Sequence, residues 1–189
     1  IANFSSRGPV YDGRIKPELA AFGEDGTSGA AALVSGAAAL VQQQIKQQTG
    51  KLPQASMVKS ILINGSDDVG TEGPDFKTGY GHLNVYRSLQ ITAEKKYLSD
   101  TIPAASNHTF FIQIPANSKT LKATLCWSEA SAAPNASKAL LHDLNIKIVT
   151  PTNDTLLPWV LNVFPHPDSL SKPAIRGVDT LNVVEQISL

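Results

Sequence analysis

A second cysteine is missing from the 189 residues, so Cys126 has no partner for an internal disulfide and the fold must be held by burial and hydrogen bonding. Its neighbours Leu125 and Trp127 place the thiol in a core strand. Any excess of charge is missing too. Sixteen Lys and Arg balance sixteen Asp and Glu, with no basic stripe, which excludes nucleic acid as a partner on electrostatic grounds. No apolar run approaches the roughly 18 residues of a membrane-spanning helix. The opening Ile1-Ala2-Asn3 has no signal-peptide character and reads like the interior of a longer protein, so a piece cut from a precursor is expected. There is no internal repeat and no low-complexity tract. The sequons at Asn3, Asn64, Asn107, Asn135 and Asn153 matter only in a host that glycosylates asparagine.

What is present is a chain with 42% hydrophobic residues, enough for one good core or two small ones. The pattern changes partway along. Residues 1–93 are loops and helices rich in Gly and Ala: a long helix from Thr27 to Gln48 stopped by Gly50, a second helix from Pro53 to Ile63 with Met57, Val58, Ile61 and Leu62 on one stripe, and a Gly-rich stretch leading to a short helix ending near Leu89. The first three turns of the long helix are apolar all round, the pattern of a helix buried in a larger body. Residues 94–189 carry short alternating or apolar runs (108–115, 121–127, 143–151, 156–162) bounded by Pro, Asn, Ser and Asp, which is β-sandwich spacing.

The stretch "GTSGAAALVSGAAAL" at 26–40 raises a chemical question. A serine at the start of a buried helix sits where free backbone N–H groups and the positive end of the macrodipole favour developing negative charge. The same Thr-Ser pair is equally a common helix cap. Sequence physics leaves both uses of Ser28 open. A serine nucleophile also needs a base, a group to orient that base, and donors for the oxyanion.

Together with "NFSSRGPVYDGRIKPELAAFG" at 3–23, this block resembles the end of the catalytic domain of subtilisin-like serine proteases (subtilases). The resemblance continues through "ASMVKSILINGSDDVG" and "GPDFKTGYGHLNVYRSL", and through "HDLNIKIVTPTNDTLLPWVLN" and "GVDTLNVVEQ" into a β-sandwich module. It implies an α/β subtilisin-like fragment with its parallel sheet largely missing, followed by an all-β, jelly-roll-like sandwich truncated at its C-terminus. It implies Ser28 as catalytic nucleophile, the Ser28 backbone N–H as one oxyanion donor, and protein or peptide substrates. The family's catalytic Asp and His precede the matching region, so a missing N-terminal part of the catalytic domain is an expected partner and the fragment is expected to be inactive alone. The expected setting is secreted or cell-surface, in a bacterium. Two departures stand out: Gly29 where the family has a bulky apolar residue, and Ala32 where it has proline, with only Glu24-Asp25 between Gly23 and Gly26.

Beside this reading stand two others: a pseudoprotease scaffold, and an adhesion or glycan-binding module using Trp127 and Trp159 as a platform. His82, His108, His142 and His166 read as surface or structural histidines, and Asp12-Gly13 as a turn. No cofactor and no metal site are expected; Asp67-Asp68, or Asp143 with Asn145, are the residues that calcium would use. Glu185 falls in a strand that, by the resemblance, further strands should follow, so the sandwich is expected to be short of an edge and open to pairing with another chain. With so little sheet behind it, the long helix should expose apolar surface, and self-association is expected.

Overall fold

Spaced four apart, Ala37, Val41 and Ile45 are the buried residues of α1 (Thr27–Thr49) in the computed structural model, which describes residues 1–189. That spacing draws one narrow line along the helix. α1 stops at Gly50, whose left-handed φ of 74° lets its N–H donate to the Lys46 carbonyl at 2.8 Å. Against the line pack α2 (Ala55–Gly65), through Val58, Ile61 and Leu62, and α3 (Val85–Ala93), capped by Asn84, whose side chain accepts from Arg87 N–H. Gln48 Nε2 donates to the Thr92 carbonyl at 3.1 Å and pins α3 to the end of α1.

The N-terminal half of α1 lacks such cover. Ala31, Ala32, Leu33, Gly36, Ala39 and Leu40 are exposed, with Leu33 at 43%. The expected burial in a larger body is therefore not met by these residues, because no sheet lies over that face. The whole chain has an accessible surface of 12027 Å², whereas a close-packed monomer of 20.1 kDa would have roughly 8,700 Å². The excess shows how loosely the chain covers itself, and Leu33, Leu40, Phe110 and Phe111 are among the apolar side chains left exposed.

The Gly-rich stretch returns beneath α2. Bridges pair Leu19 with Gly79, and Ala20 and Asp67 with His82. Gly81, at φ +124°, passes so close to Asp67 that a Cβ there would lie 2.2 Å from its carbonyl oxygen, so only glycine permits this crossing.

From residue 94 onward the chain contributes six short strands: β1 (Lys122–Cys126), β2 (Ile148–Val149), β3 (Thr155–Leu156), β4 (Trp159–Val160), β5 (Ile175–Arg176) and β6 (Val184–Ser188), with a one-turn helix α4 (Pro167–Leu170) before β5. They form three separate antiparallel pairs, β1 with β6, β2 with β3, and β4 with β5. The residues expected to build a sandwich are thus in small two-stranded sheets. The 108–115 segment forms no strand, and Phe111 is 98% exposed: its alternation suits a two-faced strand, but no neighbouring edge supplies the ladder.

The β1–β6 pair lies on α2. Ile15, Ile63, Phe76, Tyr80 and Val184 form a second core drawn from both halves of the chain. Polar bonds cross the same joint: Ile15 N–H to Asn182 Oδ1 at 2.8 Å, Thr124 Oγ1 to Asn64 Oδ1 at 2.9 Å, and Lys122 Nζ to the Ser66 carbonyl at 2.8 Å.

Candidate active site

Gly26 begins α1 with φ 83° and ψ −161°, a conformation essentially reserved for glycine. Beneath it, Gly23 lies so close that a Cβ would meet the Gly26 carbonyl oxygen at 2.3 Å. The short Glu24-Asp25 connection is therefore closed by a pair of glycines, and it delivers Thr27 and Ser28 directly onto the first turn.

The cap reading of Ser28 is corrected here. Gly26 occupies the N-cap, and no side chain bonds to the helix start. Ser28 is the second helical residue, exposed, and its hydroxyl has no hydrogen-bond partner in the protein. The first intrahelical bond runs from Ala30 N–H to the Gly26 carbonyl at 3.4 Å, so the N–H groups of Thr27, Ser28 and Gly29 precede the ladder and stay free. No acidic side chain occupies the first turn. An exposed hydroxyl thus stands among unpaired donors at the positive end of a 23-residue helix. At Gly29, an added Cβ would make only ordinary contact, 3.4 Å from Glu24 N, so crowding does not impose glycine there.

None of the four histidines bonds to Ser28. His108 Nδ1 meets Asp100 Oδ2 at 2.9 Å, His142 Nδ1 lies 3.4 Å from Glu129 Oε2, and His166 Nδ1 accepts from Asp168 N–H at 3.3 Å at the start of α4. His82 sits in the bridge region with its side chain exposed. Cys126 is no substitute nucleophile, because burial pushes its thiol up to about 11.

The acids weighed for calcium are engaged elsewhere. Asp67 accepts from Asn84 Nδ2 at 2.8 Å and pairs with Arg87 at 2.7 Å; Asp68 accepts from Gly73 N–H at 2.8 Å; Asp143 faces Lys138 at 3.4 Å. No group of three or more His, Cys, Asp or Glu side chains is arranged to hold a metal ion. Asp12 closes its turn onto Arg14, with Oδ2 to Nε at 2.8 Å. Glu18 bridges Lys16 and Lys59; burial alone would raise its carboxyl, and the two ammonium groups outweigh that and hold it below the usual range.

The tryptophans form no platform. Trp159 is buried, donates from Nε1 to Ser188 Oγ at 2.8 Å, and carries the Arg176 guanidinium 3.4 Å above its ring. Trp127 is half-buried with its Nε1 covered, in the wall of a cleft of about 570 Å³ shared with Arg14, Lys59 and Glu129. That cleft was illegible in the sequence, because its walls come from separate stretches of chain. Glu185 is fully buried; the one sequence signal was an acid inside the apolar run "NVVEQISL". No helix is long and apolar enough to cross a membrane.

Residues 1–81 match the family model of the Subtilase family. The serine protease/ABC transporter B family protein tagA of Dictyostelium discoideum is 22% identical over 198 residues, covering 77% of this chain and 11% of its own. The crystal structure of a lanthipeptide protease is 38% identical, covering 35% of this chain and 20% of its own, with a TM-score of 0.34. The chain spans about a tenth of the curated relative it matches.

Proposed function

Residues 1–81 are a subtilisin-like segment, and from that premise we propose that Ser28 is the nucleophile of a serine endopeptidase acting on protein or peptide substrates. Ser28 Oγ attacks the scissile carbonyl carbon as a histidine removes its proton; collapse of the tetrahedral intermediate breaks the C–N bond, and the histidine returns the proton to the leaving amine. Water then hydrolyses the ester and frees Ser28. The Ser28 backbone N–H is one oxyanion donor. The histidine and its orienting aspartate come from polypeptide outside residues 1–189, so this chain alone is inactive.

The observation that carries this reading is the Ser28 hydroxyl itself, exposed and unbonded among free N–H groups at the glycine-built start of α1. A capping serine would have its oxygen committed to one of those N–H groups. In this reading residues 94–189 serve as a folding partner, which the shared core of Ile15, Ile63, Phe76, Tyr80 and Val184 supports. The enzyme works in a secreted or cell-surface setting.

A fluorophosphonate probe tests the reading. Applied to a longer polypeptide that carries the family's Asp and His upstream of these residues, it should form an adduct on Ser28, located by peptide mass spectrometry. Residues 1–189 alone should remain unlabelled. A folded longer protein with no adduct would turn the reading to a pseudoprotease scaffold, and labelling of the short chain would overturn its inactivity.

A further inference from the structure

Glu185 has no exposed surface, yet no cation touches it. It is the second residue of β6, opposite Leu125 of β1. Its Oε2 accepts the Ile146 N–H at 2.8 Å, which ties β6 to the stretch 143–149, while Oε1 has no partner at all. A buried carboxylate with one neutral donor is far from satisfied, since an unpaired charge in the interior carries a large desolvation penalty.

Its surroundings make ionisation harder. Asp179 comes from the turn before β6, held by N–H groups of Leu181 and Asn182 at 2.8 and 3.0 Å. Asp143 comes from the stretch that β6 supports, with its own cation, Lys138, turned towards it. From the Gly-rich stretch comes the buried phenol of Tyr80, which stays neutral because its burial, with Asp179, Glu18 and Glu185 nearby, pushes it well above its ordinary value. On the opposite face of the ladder β1 carries Lys122, directed to the Ser66 carbonyl, and the half-buried thiol of Cys126.

We propose that Glu185 is a protonation latch: as the neutral acid it lets residues 143–149 lie on β6, and as the carboxylate it releases them.

The pH window follows from chemistry. Burial pushes the Glu185 carboxyl up to about 7, Ile146 N–H opposes this, and Asp179 and Asp143 add to it. A freed side chain would titrate near 4.5. The closed form therefore holds a proton that the open form does not between these values. Closure is strongest below the lower value, weakens as pH rises through the window, and levels off above the upper one.

The test is amide exchange at Ile146 in the 189-residue chain, normalised to the intrinsic rate at each pH. Protection should fall on the order of 100-fold between pH 5 and pH 8. Glu185→Gln, which keeps the acceptor for Ile146 and cannot ionise, should hold protection constant over that range. Asp143→Asn should move the fall to lower pH. A fall that survives in Glu185→Gln overturns the latch. Should that variant not fold, titration of the Glu185 side-chain ¹³C carboxyl in the unaltered chain decides: a midpoint near 7 supports the latch and one near 4.5 overturns it.

Discussion

Tyr80 Oη donates to the Val184 carbonyl oxygen at 3.0 Å, a bond between residues 104 positions apart that fastens the Gly-rich stretch to β6. Both residues are buried in the core shared by the two halves. Tyr80→Phe keeps the ring and removes the donor, so it should destabilise the chain by about 1–1.5 kcal/mol. Tyr80→Ala also opens a cavity and should cost about 3–5 kcal/mol. Urea unfolding of the two variants separates the effects, and a silent Tyr80→Phe would show that this bond does not couple the halves.

Ser28→Ala should leave thermal stability within about 0.5 kcal/mol of the unaltered chain, since the hydroxyl is exposed and caps nothing. In the longer, active polypeptide the same change should abolish probe labelling and lower kcat by several orders of magnitude. A large stability loss on Ser28→Ala would mean that the oxygen is bonded after all.

Gly81→Ala should be among the most damaging single substitutions in the first half. The new methyl would have to share space with the Asp67 carbonyl, in a backbone conformation that alanine rarely adopts. A loss above about 2 kcal/mol in calorimetry is expected, compared with less than 1 kcal/mol at Gly36, an open position on α1.

Glu18 provides an acid limb. Its carboxyl is held below the ordinary 4.5 by Lys59 and Lys16 despite its burial. A depressed folded value gives stability that is present above 4.5 and lost as pH falls through the folded value. Melting temperatures of the unaltered chain and Glu18→Gln should thus differ at pH 6 and converge towards pH 2. A constant gap would assign the cost of Glu18→Gln to packing instead.

Much of the first half was legible because its signals are local. The glycine stop at Gly50, the stripe of Val58, Ile61 and Leu62, and the turn at Asp12-Gly13 each depend on a few adjacent residues. Ser28 was legible as a site only through its neighbours in sequence, since a cap and a nucleophile share the same residue types. The structure bears on the cap alone: Gly26 holds the N-cap position and no side chain bonds to the helix start. In the second half the period-two runs are real, but alternation does not say which edge a strand meets. Leu125 finds its place opposite Glu185, sixty positions on, whereas Phe111 finds no edge. Burial of Glu185 was beyond reach for the same reason, because the stretch that meets it, at Ile146, lies 39 positions away.

The narrow line of Ala37, Val41 and Ile45 makes α1 a cantilever. Its clamped end lies towards Gly50, and Ser28 rides on the other end, six residues beyond Val34, the last side chain packed on the core. At 1.5 Å of rise per residue, that overhang is roughly 9 Å, and a 10° flexure would swing the serine by roughly 1.6 Å. Acyl transfer tolerates less, since misplacement by about 1 Å can cost 100-fold in rate. The aim of Ser28 is therefore set by whatever braces the bare alanine face of the beam, and stiffness of that helix becomes a quantity on which any chemistry at its tip depends.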